Sequence, residues 1–252
     1  MTAEKLTAAI LIISAIVITI LLINREKNKS SREHYDEALH ERNMERASKF
    51  LIKGAAEGDL YLIEELAECY SYAPLGKPFG IFEDPAKAFE LYLQAAKRGS
   101  VKSMLKVASA YAAGDGVQEN EQEAIKWIKC AADHGDSNSQ CELAEWYRKN
   151  NDYAKAISYY RRAVQTRGID AFCRAAVGVG DICAESSSPY YNPKKAAYSY
   201  IVAYSASLKS EYDDHGFYLR RLATVEINCR ISDNERRRWM NDGENLRYNF
   251  NI

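Results

Sequence analysis

Six cysteines and four histidines are the residues of this 252-residue chain best suited to metal ligation or nucleophilic chemistry. Their spacing organises neither. Cys69, Cys130, Cys141, Cys173, Cys183 and Cys229 form no C-x-x-C pair and join no Cys/His cluster of zinc spacing. They stand among small and apolar neighbours in helical stretches, the setting of small buried hydrophobes in a reducing compartment. His34, His40, His134 and His215 are scattered, with no nucleophile or second ligand at a telling distance. His34 and His40 fall in a charged, solvated helix. His134 precedes Gly135, where an imidazole can bond the last carbonyls of a helix. Gly114-Asp115-Gly116 reads as a turn rather than a phosphate loop, because no strand precedes it. Without a triad, phosphate loop or zinc motif, the residue chemistry predicts no catalytic residue, no metal and no cofactor. A net charge of −1 gives no field that would favour nucleic acid.

The chemistry that remains is that of surfaces, beginning with a lipid-facing one. Residues 6–23 read LTAAILIISAIVITILLI, without a charge. Eighteen residues of helix span about 27 Å, close to the hydrocarbon thickness of a bilayer. A cleaved signal peptide fits poorly, since the run ends in LLINREKNK rather than a small-residue site. A buried core helix would carry a wider polar stripe than Thr7, Ser14 and Thr19 provide. The expectation is a single transmembrane anchor behind a short tail, residues 1–5. Arg25, Lys27, Lys29 and Arg32 follow the run, against Lys5 and the terminal amine before it. That imbalance places the C-terminal part on the cytoplasmic side of an inner membrane; the alternative is a periplasmic one. The same four cations are candidates for contact with anionic lipid. Residues 24–46 are charged and lack Gly and Pro, as a helical juxtamembrane stalk would.

The rest has no alternating Val/Ile/Thr-rich stretch, so an all-α body is expected. Tyrosine is abundant at eighteen copies, many of them beside Ala and Ser. Aligning Ala, Tyr and Gly brings out a repeat. Its clearest unit, residues 102–136, has a helix to Tyr111 and a turn through Gly114 and Gly116. A second helix opens near Asn120 and carries Ala124, Trp127, Ile128, Ala131 and Ala132 before Gly135. This unit resembles the Sel1-like repeat, a relative of the tetratricopeptide repeat, through Y-x-x-G-x-G-V at 111–117, then A-x-x-W and A-A-x-x-G. The next unit, 143–163, resembles a tetratricopeptide repeat proper. Two more follow the frame with irregular turns, SYAPLGKPFGIFED and AESSSPYY. The aligned small residues Ala67, Ala108, Ala144 and Gly180 recur at intervals of 41, 36 and 36. The segment 50–59 reads as a second helix without its partner, a plausible N-terminal cap. The repeat array is expected over 47–206. Capping helices and tail occupy 207–252, including a capping box at Ser232-x-x-Glu235.

The resemblance implies a right-handed α-solenoid in which the first helix of each pair lines a concave, protein-binding face. Carried onto this frame, that face comprises Tyr61, Glu64, Glu68 and Ser71, then Lys102, Leu105, Ser109 and Ala112. Asn138, Cys141, Glu145 and Arg148 follow, and then Arg174, Val177, Asp181 and Ala184. The irregular turns, around 74–82 and 186–191, are second candidates, since aromatic residues on exposed loops are typical anchors. The triplet 236–238, Arg-Arg-Arg, reads as a solvated helix face. The function this implies is a membrane-anchored, non-enzymatic adaptor or scaffold for a protein partner. The alternative is an immunity- or inhibitor-type protein that neutralises one cognate toxin or enzyme. An enzymatic reading, proposed for cysteine-rich relatives with a regular cysteine pair per repeat, is weakened because these six cysteines do not follow the frame.

Overall fold

The computed structural model describes residues 29–165, 168–208, 215–226 and 229–245, together with Thr19. The expected anchor, residues 6–23, lies outside the described residues except for Thr19. Among the described residues no helix is long and apolar enough to cross a membrane. They form thirteen α-helices, one short 3-10 turn and no strand. Two compact units result: one up to Arg98 plus Gly114–Gln118, the other Gly99–Ala113 and the chain from Glu119.

In the first unit, α1 (Ser31–His40) and α2 (Met44–Ala56) form a hairpin. Ser30 caps α1 in a reciprocal box with Glu33. Tyr35 and Ala38 of α1 are buried with Leu51 of α2 and Leu62 and Ile63 of α3 (Leu60–Ser71). The expected stalk therefore contributes a core helix from Ser31 onward, and the segment 50–59 has a first-helix partner. The apolar positions are few (Tyr35, Ala38, Leu39), which is why the charged sequence concealed them. His34 is half-buried and stacks on Phe50 with centroids 4.5 Å apart, rather than facing solvent as expected. Lys29 pairs with Glu37, and Arg32 lies 4.3 Å over the Tyr61 ring. Two of the four cations expected to reach lipid are thus engaged within the fold; Arg25 and Lys27 lie outside the described residues. After α3 come the single turn α4 (Ala73–Gly76), the 3-10 turn Lys77–Phe79 and α5 (Pro85–Lys97).

The second unit stacks helix pairs. These are α6 (Val101–Ala113) with α7 (Glu121–Asp133), α8 (Ser137–Lys149) with α9 (Tyr153–Ala163), and α10 (Ile169–Ala184) with α11 (Pro193–Ser207). Two further helices, α12 (His215–Glu226) and α13 (Asp233–Glu244), pack on α11. Enclosed by three helices, α11 is buried on nearly all sides, which accounts for its weak helical periodicity. The terminal helix is more than a polar cap: Trp239 of α13 is buried edge-on to Tyr198, 5.6 Å away. Ser232 and Glu235 form the expected capping box.

One device closes the turn in four of the helix pairs, whatever its length. The N–H of the second helix's N-cap residue donates to the carbonyl of the residue aligned with Tyr111. The pairs are Asp84 to Tyr70 (2.9 Å), Asn120 to Tyr111 (2.8 Å), Asp152 to Tyr147 (2.9 Å) and Asn192 to Cys183 (2.8 Å). Each N-cap side chain then accepts from the N–H three residues on, supplying one of the helix's orphan donors with a partner. Gly116, at φ +70°, lies so close to Pro85 that a β-carbon would meet its carbonyl oxygen at 2.1 Å. That proximity is why this turn needs glycine. His134 bonds the Cys130 carbonyl through Nδ1 at 2.8 Å, as its position before Gly135 suggested.

Candidate functional site

On α8 and α10 the first-helix positions converge. Glu145 and Arg148 from α8, and Arg174, Val177 and Asp181 from α10, line one cavity of about 240 Å³. Tyr160 of α9 forms part of its wall, and α12 adds Phe217, Tyr218 and Arg221. The helices explain the convergence: residues three and four apart share a face, so Glu145 and Arg148 project together, as do Arg174, Val177 and Asp181.

Most of the polar groups here are paired. Arg174 donates to Glu145 at 3.1 Å. Arg221 binds Asp181, which also accepts from the Tyr200 hydroxyl at 2.8 Å. Burial pushes the Asp181 carboxyl above its ordinary value, and Arg221, Tyr200 and Arg148 pull it part of the way back. Two atoms stand apart. The Arg148 Nε and the Tyr160 hydroxyl are buried and meet no hydrogen-bonding partner among the described residues. Tyr160 is fully buried, and its ring occupies the space beside Gly178, where a β-carbon would come within 2.1 Å of Cζ. Burial raises the Tyr160 phenol well above its ordinary value, so it stays protonated. Cys173 also lines the cavity. Its thiol, pushed up to about 11 by burial, donates to the Ala203 carbonyl at 3.4 Å, and a protonated thiol is a poor nucleophile.

The other expected positions are more dispersed. Tyr61, Glu64 and Glu68 are half-buried on α3, with Tyr61 beneath Arg32. Lys102 and Ser109 are exposed on α6, Leu105 is half-buried there, and Asn138 is exposed at the start of α8. Two positions depart from the expected exposed face. Val177 is only 8% exposed, a cavity-wall residue rather than a surface one. Cys141 is fully buried and donates to the Ala171 carbonyl, so it faces the next pair. Tyr160, Phe217, Tyr218 and Arg221 were not legible as site residues; only the glycine at 178 hinted that a large side chain needed room.

The irregular turn after α3 is a second region of interest. It is tightly built: Ile81 N–H donates to Gly76 (3.0 Å), and Asp84 N–H to Tyr70. Even so, it leaves Tyr72, Leu75 and Phe82 exposed at 57%, 46% and 85%. A larger open cavity, about 430 Å³ between α11 and α13, is lined by Lys194, Lys195, Tyr198, Glu235, Arg238 and Trp239. Its central acid is already committed, Glu235 binding Lys194 at 2.7 Å and the Ser232 cap. Among the described residues no group of three or more His, Cys, Asp or Glu is arranged to hold a metal ion. Cys69, Cys141, Cys173 and Cys183 are buried free thiols, whereas Cys130, expected inside, is exposed.

Part of this scaffold matches a known repeat. The Sel1 repeat matches residues 64–100, 101–136 and 137–165. Residues 64–165 are three consecutive Sel1 repeats. A crystal structure of a Sel1 repeat protein from Oxalobacter formigenes has the same fold, with a TM-score of 0.55 at 18% identity. The similarity covers 84% of this chain and 98% of that one. Two looser similarities are to a protective antigen of uropathogenic Escherichia coli with an SLR fold, and to an immunity protein of Pseudomonas aeruginosa. The antigen has a TM-score of 0.43 at 18% identity, over 80% of this chain and 47% of that one. The immunity protein has a TM-score of 0.38 at 17% identity, over 79% and 83%. The matched Sel1 repeats run from within α3 to just past α9. The pair α10–α11 and the helices after it, which complete the cavity, lie beyond the match.

Proposed function

We propose that this chain is a membrane-anchored adaptor that holds a protein partner and performs no catalysis. Sel1 repeat proteins commonly mediate protein–protein interaction. The observation that carries the reading for this chain is the loop bearing Tyr72, Leu75 and Phe82, three large apolar side chains held in water by a well-bonded turn. Apolar groups left exposed on a rigid loop are typical partner anchors. The uncharged run 6–23 supports the anchor, and the cations after it support a cytoplasmic repeat domain. The buried thiols, held protonated, fit the absence of catalysis.

The test is site-specific photo-crosslinking in native membranes. A photoreactive residue at Phe82 is expected to give a discrete protein adduct, and one at exposed Glu119 is not; no adduct at 82 overturns the reading. One tight cognate adduct of a toxin or enzyme would mark an inhibitor instead. Carbonate extraction of the full chain, against a variant lacking 6–23, checks the anchor. Exposed Cys130 serves for sidedness: an impermeant thiol reagent should label it after lysis only, with Cys130→Ser as control. Labelling in intact cells would place the domain outside.

A further inference from the structure

We propose that the cavity between α8, α10 and α12 is a carboxylate-binding site that takes one short monoanionic group on Arg148 and Tyr160. At about 240 Å³ it is smaller than most small-molecule sites, so it suits a group of a few heavy atoms. The donor inventory sets the chemistry. Arg148 Nε is donor-only, and the buried Tyr160 phenol remains protonated and able to donate. An acceptor that meets both removes two buried, unsatisfied groups, each of which is costly to leave unpaired.

Charge then favours an anion over a neutral carbonyl. Three guanidinium groups, Arg148, Arg174 and Arg221, face two carboxylates, Glu145 and Asp181. Arg174 is paired with Glu145 and Arg221 with Asp181, which leaves Arg148 acting on Asp181 with no carboxylate of its own in the cavity lining. Three cations against two anions leave a partly buried charge only partly compensated, which is unfavourable, and one monoanion balances it. The Nε–H and adjoining Nη–H of an arginine present a fork that matches a carboxylate's two oxygens. Phe217 and Tyr218, edge-to-face at 5.4 Å, supply an apolar wall for the methylenes behind such a group.

A carboxylate of this kind can be a free short-chain acid or the side chain of a glutamate or aspartate in a protein. The experiment uses the full chain in detergent micelles with ¹⁵N-labelled arginine, the Arg148 Nε–H resonance being assigned by its loss in Arg148→Lys. It is titrated with butyrate, and separately with N-acetyl-Gly-Glu-Gly-amide. Butyramide and the Gln peptide are the neutral controls. Saturable movement of the resonance is expected with at least one carboxylate, with the neutral control at least about tenfold weaker and Tyr160→Phe about fivefold weaker than wild type. Response to butyrate alone assigns a free acid, and response to the peptide alone a protein side chain. No saturable movement at about 100 mM carboxylate, far above a millimolar Kd, overturns the proposal, as does equal binding of the neutral control. Phe82→Ser should leave the titration unchanged. A chain that crosslinks at 82 with Arg148 silent loses the cavity assignment alone; one that responds at Arg148 without crosslinking loses the adaptor reading alone.

Discussion

The cavity on α8 and α10 and the loop after α3 depart from ordinary folding preference in opposite directions. The cavity keeps polar atoms, Arg148 Nε and the Tyr160 hydroxyl, buried without partners. The loop keeps apolar ones, Tyr72, Leu75 and Phe82, in water. Each arrangement sacrifices stability that a simpler residue choice would recover, and each does so on hydrogen-bonded backbone. The two regions are therefore suited to different ligands. Buried unsatisfied donors select a small acceptor by hydrogen bonding and charge, whereas exposed aromatics select a surface by area and shape.

The largest loss of stability should come from removing the room made for Tyr160. Gly178→Ala places a methyl 2.1 Å from the Tyr160 ring, and overpacking of this kind costs about 1–3 kcal/mol or more. Its urea midpoint should fall sharply, while Gly80→Ala, with nothing within 4 Å but a positive φ, should lose only about 1 kcal/mol from backbone strain. A sharper probe is Tyr160→Phe. Deleting a hydroxyl that is buried and unpartnered should raise the unfolding free energy of ligand-free protein by about 1 kcal/mol; a loss would mean that the hydroxyl is bonded within the fold. Asp84→Ala removes the cap that ends the exposed loop and should cost about 1 kcal/mol, with Asn192→Ala a matched change in the second unit. Phe82→Ser, at an 85% exposed site, should stay within about 0.5 kcal/mol of wild type yet abolish partner capture.

The smallest effect concerns the α11–α13 pocket, where the acid is fully engaged. Lys194, with help from the Ser232 N–H and hydroxyl, holds the Glu235 carboxyl down at about 2, against an ordinary 4.5. A depressed carboxyl stabilises the fold fully above its unfolded value, and that contribution is lost as pH falls through the folded one. Glu235→Gln should therefore flatten the stability profile between about pH 4.5 and 2, followed by denaturant unfolding at each pH, and should leave the pH dependence above 5 unaltered. An unchanged acid limb would show that this exposed pair does not hold in solution.

Much of the frame was legible because it is local. The helices of the pairs, the turn at Gly114 to Gly116, the His134 contact and the Ser232–Glu235 box all depend on residues close in the chain. Less was legible where a sparse apolar face hid in charged sequence, as in α1, where Tyr35 and Ala38 are buried in a segment that reads as a stalk. The lining of the cavity was partly legible. Register along α8 and α10 puts Glu145, Arg148, Arg174 and Asp181 on the faces that line the cavity, but Cys141 obeys the same register and is buried against Ala171.

The repeat, its caps and turns, and the sharing of helical faces can all be read along the chain, since helical periodicity and capping are short-range. Helix packing is what brings five of those residues to one cavity, sets Tyr160 beside Gly178 and carries Arg221 of α12 to Asp181 across forty residues of chain. Contacts of that separation follow from how neighbouring pairs stack, and stacking leaves no periodic trace in the residues that it brings together.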